Sequence, residues 1–234
     1  MSSHLAFALS DPSQVGEARR AAARLAEEVG LDETRAGRLA LVVTELGTNL
    51  VRHAQGGRLL MAAQADGVSP AGVELLAIDD GPGMADVNSC LRDGYSTGGT
   101  PGTGLGAIQR LSDDFSITST PGVGTIVAAR VHVSDKAAGG RHFRVAGLSV
   151  NAPGETVCGD AYAVQANGDK VRVIVADGLG HGPGAEEASQ AAVKVFEAAA
   201  ADSPPSQVLE RAHGALRITR GAAVALVHLD ATRG

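Results

Sequence analysis

Glu45 and Asn49 stand four residues apart in this sequence and His53 follows four later, so a helix carries all three along one stripe. A carboxylate there can take a proton from an attacking hydroxyl or water. A carboxamide oxygen one turn on suits a hard cation that also takes phosphate oxygens and waters. Downstream, an apolar run through Val73, Leu75, Leu76 and Ile78 ends in Asp79-Asp80-Gly81-Pro82-Gly83. A carboxylate at the end of a buried strand can accept a hydrogen bond from the exocyclic amine of adenine, a donor guanine does not offer at that position, and Asp79 is the candidate. Gly102-Thr103-Gly104-Leu105-Gly106 then opens a helical apolar pattern of Leu105, Ile108 and Leu111. Glycines at a helix start let backbone N–H groups approach an anion with no Cβ in the way. With Gly122-Val123-Gly124-Thr125 ahead of a further strand, these segments outline a nucleotide pocket.

The elements that must position these residues are legible around them. Leu5 to Leu9 reads as a short strand, and Ser10-Asp11-Pro12 as a helix N-cap with Pro at a tolerated early position. Gly30 breaks the first helix, and Asp32 caps a second one running to about His53, with Leu39, Val43, Leu46 and Leu50 on its apolar stripe. Strands are expected at Arg58–Ala65, Val73–Asp79, Phe115–Thr120 and Thr125–Val133, and a helix at Gly104–Leu111. Together they predict an α+β fold: an open mixed sheet with helices on one face. Residues 134–141 lose apolar periodicity and carry paired glycines, which makes them a linker between a domain at 1–133 and a second at 142–234. In the second, strands are expected at Arg144–Val150, Ala161–Ala166, Val171–Ala176 and Ala222–Leu229, and helices at Gly184–Ala201 and Ser206–Leu216.

Composition narrows the classes. A net charge of -6, no Trp and 3% aromatic residues argue against a nucleic-acid surface of basic patches and stacking rings. Cys90 and Cys158 match no CxxC or zinc spacing and fit a reducing compartment. The first residues lack a basic segment followed by an apolar one, and no window approaches the roughly 18 apolar residues of a membrane helix. A cytoplasmic protein without a membrane partner is the expectation.

The four segments, in this order over about Leu5 to Val133, resemble the ATP-binding domain shared by DNA gyrase, the heat-shock chaperone, histidine kinases and mismatch-repair proteins, the GHKL family. The resemblance implies ATP and Mg²⁺ as ligands. It implies Asp79 on the adenine, Gly81 and Gly83 letting the base lie flat, and Thr125 close by. It also implies Asn49 as the Mg²⁺ ligand and Glu45 as the catalytic base, with Gly102, Gly104, Leu105 and Gly106 at the triphosphate. At the end of the same helix either Arg52 or His53 could face phosphate, though a His there is more often a cap or surface residue. The run Asp93-Gly94-Tyr95-Ser96-Thr97-Gly98-Gly99, followed by Gly104-Leu105-Gly106, resembles the serine/threonine switch kinases and anti-sigma kinases of the bacterial stress response. The chain starts directly with this domain, and paired helices bearing a phosphoacceptor histidine are not expected. For that group the implied partner is a STAS-domain antagonist phosphorylated on Ser or Thr; a homodimer is one candidate assembly, which the sequence leaves open. The alternative is an anti-sigma factor that sequesters a sigma factor, with ATP as a conformational ligand.

Gly159-Asp160 and Val175-Ala176-Asp177-Gly178-Leu179-Gly180-His181-Gly182 resemble the start of metal-dependent Ser/Thr phosphatases of the sporulation and stress-regulator type, the PPM superfamily. There the implied roles are Asp160 and Asp177 as ligands of Mn²⁺ or Mg²⁺, with Gly178 lending its carbonyl. That family draws further acidic ligands from later segments, and this sequence ends at Gly234. The expectation is a partial αββα phosphatase-like domain of doubtful activity.

Overall fold

Asp11 opens the first helix, α1 (Pro12–Val29): its side chain accepts from the Ser13 N–H, Gln14 reaches back to the cap, and Pro12 takes an early helical position. Gly30 ends that helix in the left-handed conformation at φ 78°. Asp32 then caps α2 (Glu33–His53) by accepting from the Arg35 N–H at 2.8 Å. These elements come from a computed structural model of the chain, which describes residues 4–54, 56–64, 71–92, 104–134, 143, 145–152 and 154–232. The chain divides into two compact units, one holding Leu5–Gln64 and Ala71–Asp135 and the other Met1–His4, Ala65–Pro70 and Lys136–Gly234.

The first unit adds β1 (Leu5–Ala8), β2 (Arg58–Gln64), β3 (Gly72–Asp79), a short α3 (Val87–Cys90), α4 (Gly104–Leu111), β4 (Asp114–Thr120) and β5 (Gly124–His132). Its sheet runs in the order β1-β2-β3-β5-β4, and every neighbouring pair is antiparallel. The sheet is therefore antiparallel where a mixed one was expected: strand direction follows from long-range pairing, which local patterns do not report. Side chains alternate faces along each strand, and Val73, Leu75, Ala77, Val127, Ala129 and Val131 bury the same face. That face joins Leu25 of α1, Leu39, Val42, Val43 and Leu46 of α2 and Ile108 of α4 in one hydrophobic core.

Two contacts fix α4 along α2. At one end Arg38 donates from Nε to the Leu111 carbonyl at 2.9 Å and pairs with Asp113 at 3.0 Å. At the other, Gly104 lies beside Glu45 and Asn49. Residues 38 to 45 of α2 thus run against 111 to 104 of α4, so the helices are antiparallel neighbours. Partial burial works to raise the Asp113 carboxyl, yet the His132 N–H and Arg38 hold it below the ordinary carboxylate range.

The second unit is a sheet of β6 (Asp160–Asn167), β7 (Lys170–Gly178) and β8 (Ala222–Asp230), antiparallel in the order β6-β7-β8, with α5 (Pro183–Ala198) and α6 (Pro205–Leu216). Ala161, Ala163, Ile174 and Ala176 pack against Ala192, Val193 and Phe196 of α5 and Val208 of α6. On the opposite face Val175, Val227 and Leu229 stay 50%, 48% and 44% exposed. The strand expected over Arg144–Val150 does not form, with Arg144 itself outside the described residues. A Cβ on Gly147 would fall 2.4 Å from the Tyr162 ring, so this backbone lies flat on that ring. Two of its carbonyls go to side chains, Gly147 to the Tyr162 hydroxyl at 2.8 Å and Val150 to the Cys158 thiol at 3.3 Å, and the Ser149 carbonyl accepts from the His4 N–H at 2.9 Å, instead of a ladder.

Buried Arg172 of β7 donates to the carbonyls of Ala200 at 2.7 Å and Ala199 at 3.1 Å and lies over the Phe196 ring. A cation there meets the negative end of α5, closing the carbonyl of its C-cap residue Ala199 and bonding that of Ala200 just beyond the helix. Arg172→Met keeps the apolar stem and removes these bonds, and is expected to destabilise this unit by roughly 1.5–3 kcal/mol. Chemical denaturation followed by circular dichroism measures it, and an unchanged midpoint refutes the capping role.

Among the described residues no helix is long and apolar enough to cross a membrane.

Candidate functional site

The helix α2 is the wall to which the site residues attach. Glu45 and Asn49 are half-buried on it, and α4 begins directly beside them. A Cβ on Gly104 would stand 3.0 Å from Glu45 Oε2 and 3.6 Å from Asn49 Oδ1, so a side chain at that position would crowd both groups. His53, at the last turn, is exposed, and its backbone carbonyl would stand 2.9 Å from a Cβ on Gly81. Glu45 and His53 are about 12 Å apart along the helix axis at about 1.5 Å per residue. One helix therefore meets the start of α4 at one level and the turn after β3 two turns on.

At that turn three strands end in one rung. Asp79 of β3 pairs in register with Thr125 of β5, which pairs with Ser119 of β4. All three share the sheet face of Ala77, Val127 and Ile117, the face the helices cover. Asp79 Oδ1 accepts from the Gly81 N–H at 2.8 Å. The turn is drawn onto the β4–β5 hairpin: the Gly122 N–H donates to the Pro82 carbonyl at 2.8 Å. Gly83, at φ 66°, would put a Cβ 2.2 Å from the Thr120 carbonyl oxygen. Gly124 would put one 2.0 Å from the Asp79 carbonyl oxygen.

Ser119 is the residue sequence reading missed. Its hydroxyl accepts from the Met84 N–H at 2.8 Å, lies 2.9 Å from the Thr125 hydroxyl and 3.2 Å from the Gly124 carbonyl. The available signal was parity: Phe115, Ile117 and Ser119 fall on one face of β4, so a polar group sits where the pattern calls for an apolar one.

The remaining candidates fall as follows. Gly106 is buried, and Leu105 packs against the hydrophobic core. Gly102 and the run Asp93–Gly99 lie outside the described residues. In the second unit Asp160 and Asp177 face each other across β6 and β7. Desolvation first, then repulsion from and a hydrogen bond to Asp177, push the Asp160 carboxyl above its ordinary value. A Cβ on Gly178 would stand 2.1 Å from the Ala185 carbonyl oxygen, so close packing under α5 alone demands glycine there. His181 pairs with Glu155. Among the described residues no group of three or more His, Cys, Asp or Glu is gathered to hold a metal ion.

Comparison with known proteins places these features in context. Residues 8–131 match the family described as histidine kinase-like ATPase domain. The serine/threonine-protein kinase RsbT of Bacillus subtilis (strain 168) is 34% identical over 112 residues, 48% of this chain and 84% of that protein. The phosphoserine phosphatase RsbX of the same organism is 30% identical over 89 residues, 38% of this chain. The chain spans 44% of the length of that phosphatase. A solved chain from "The bacterial stressosome: a modular system that has been adapted to control secondary messenger signaling" is 34% identical at a TM-score of 0.35, over 37% of this chain and 44% of that one.

Proposed function

Because this chain belongs to the histidine kinase-like ATPase domain family, matched over residues 8–131, we propose that its first unit transfers the terminal phosphate of ATP to a Ser or Thr hydroxyl of a STAS-domain protein. The observation that carries the reading is the meeting of Glu45, Asn49 and Gly104 at the start of α4. The relative named a serine/threonine-protein kinase, 84% of which this chain matches, supports the choice of acceptor hydroxyl. The residues present fit Mg·ATP. Asn49 offers a neutral oxygen, and the close approach of Gly104 leaves the first turn of α4 without a Cβ beside it.

In this reading Asp79 and Thr125 take the base, with Gly81 and Gly83 shaping the turn beneath it. Asn49 holds Mg²⁺, and Gly104, Leu105 and Gly106 contribute backbone to the phosphate end. Mg²⁺, when bound, neutralises charge on the phosphate oxygens. Glu45 accepts the proton of the attacking hydroxyl as its oxygen bonds to the γ-phosphorus, and the bond from that phosphorus to the β–γ bridging oxygen breaks to release ADP. Labelled ATP incubated with the chain and a purified STAS-domain protein tests this. Label on Ser or Thr of that protein supports it, whereas no transfer together with ATP-dependent retention of a sigma factor overturns it in favour of sequestration.

For the second unit we propose a weaker site, in which Asp160 and Asp177, beside the Gly178 carbonyl, hold a single divalent ion. Two carboxylates fit one hard ion, whereas a two-ion phosphoester site needs further ligands. The 234-residue chain is expected to bind Mn²⁺ without releasing phosphate from a phosphorylated STAS protein. Binding weakens as pH falls, because the raised Asp160 carboxyl takes its proton earlier than an ordinary aspartate, and the protonated, neutral form no longer attracts the ion and ligates it poorly. Electron paramagnetic resonance of free Mn²⁺ measures the binding. Phosphate release abolished by Asp177→Asn overturns the one-ion reading.

A further inference from the structure

We propose that Ser119 is a positioning residue that sets the polarity of the Thr125 hydroxyl and so contributes to the choice of adenine over guanine. The proposal rests on the nucleotide-site reading above and adds to it a residue outside its motifs.

The argument is one of hydrogen inventory. A serine hydroxyl has one hydrogen to give and two lone pairs to receive with. At Ser119 one lone pair is taken by the Met84 N–H at 2.8 Å, since a backbone N–H only donates. The Gly124 carbonyl, at 3.2 Å, only accepts. Giving the single Ser119 hydrogen to that carbonyl satisfies both fixed partners, and leaves the second lone pair for Thr125, at 2.9 Å. Thr125 must then spend its own hydrogen on Ser119. Its oxygen is left with lone pairs and no hydrogen for a ligand.

The register makes this matter at the base. Asp79, Thr125 and Ser119 lie side by side across β3, β5 and β4. Asp79, as a carboxylate, also presents acceptors alone. Two adjacent acceptors match the 6-amino group of adenine, a donor, and oppose the 6-oxo group of guanine, an acceptor. Without Ser119, the Thr125 hydroxyl is free to rotate and donate, and Asp79 alone then opposes the guanine oxygen.

Calorimetry of the full chain with Mg·ATP and Mg·GTP tests this. Ser119→Ala is expected to lower the ATP-over-GTP affinity ratio by about three- to tenfold, the range of one net hydrogen bond. Ser119→Thr, which retains the hydroxyl, is expected to keep the parent ratio. In a Thr125→Val background Ser119→Ala is expected to leave the ratio unchanged, an outcome that general loosening of the hairpin does not produce. A ratio unchanged or raised by Ser119→Ala, or an equal fall in the Thr125→Val background, overturns the proposal. If the parent chain binds neither nucleotide, the nucleotide-site reading itself fails; if the parent prefers ATP and Ser119→Ala retains that preference, only the role of Ser119 fails.

Discussion

Replacing Glu45 by alanine or glutamine is expected to lower phosphoryl transfer by roughly 10²–10⁴-fold while ATP affinity stays within a few-fold of the parent. The separation follows from where the carboxylate lies. It faces the start of α4, 3.0 Å from the place a Cβ of Gly104 would occupy, whereas the Asp79–Thr125–Ser119 rung is carried by β3, β5 and β4. Removing a negative charge from the phosphate end does not weaken the attraction for a polyanion. An interaction made only as the hydroxyl loses its proton is missed in turnover and not in binding. Single-turnover transfer from labelled ATP, beside calorimetric affinity, measures both. Transfer by Glu45→Gln at the parent rate would return Glu45 to an ordinary half-buried helix residue.

Asp79→Ala is expected to weaken ATP binding by roughly ten- to a hundredfold, the equivalent of the about 1.5–3 kcal/mol of a hydrogen bond to a charged acceptor. Asp79 also accepts from the Gly81 N–H at 2.8 Å, so alanine disturbs the turn as well as the base contact. Asp79→Asn separates the two. Its carbonyl can still receive the Gly81 N–H, while its amide offers a donor where adenine needs an acceptor. Comparable ATP loss in both variants, with thermal stability kept by asparagine, supports the base contact. Equal affinity of the parent for ATP and GTP, or unimpaired binding by Asp79→Asn, removes it.

What could be read from the sequence was what local chemistry records. Asp11, Asp32 and Gly30 mark helix ends because capping is settled within a few residues, and they bound α1 and α2 as expected. The pairing of Glu45 with Asn49 followed from helical period, and Asp79 from its position at the end of an apolar run. What was not legible depends on partners far along the chain. Arg38 reaches Leu111 and Asp113 across more than 70 positions of sequence, 73 and 75 respectively, and nothing near it announces that bond. The antiparallel order β3-β5-β4 is set by such pairings as well. Residues 145–150 have strand-like composition, yet the Tyr162 ring and hydroxyl occupy the backbone that a ladder needs. Ser119 hides in an ordinary alternating strand, and its meaning appears only once Met84 and Thr125 stand beside it.

The shared rung of Asp79, Thr125 and Ser119 also bears on how this domain can change in evolution. Side chains alternate with a period of two, so adding or deleting one residue within β4 or β5 turns the next residue to the other face. The hairpin between Thr120 and Gly124 closes on Pro121, Gly122 and Val123, and the Gly122 N–H is tied to Pro82. A single-residue insertion there shifts the β4–β5 register, carrying Ser119 away from Thr125 or forcing a bulge at the base end of the site. Lineages that alter nucleotide preference are therefore expected to do so by exchanging side chains at this rung, while the three-residue turn keeps its length.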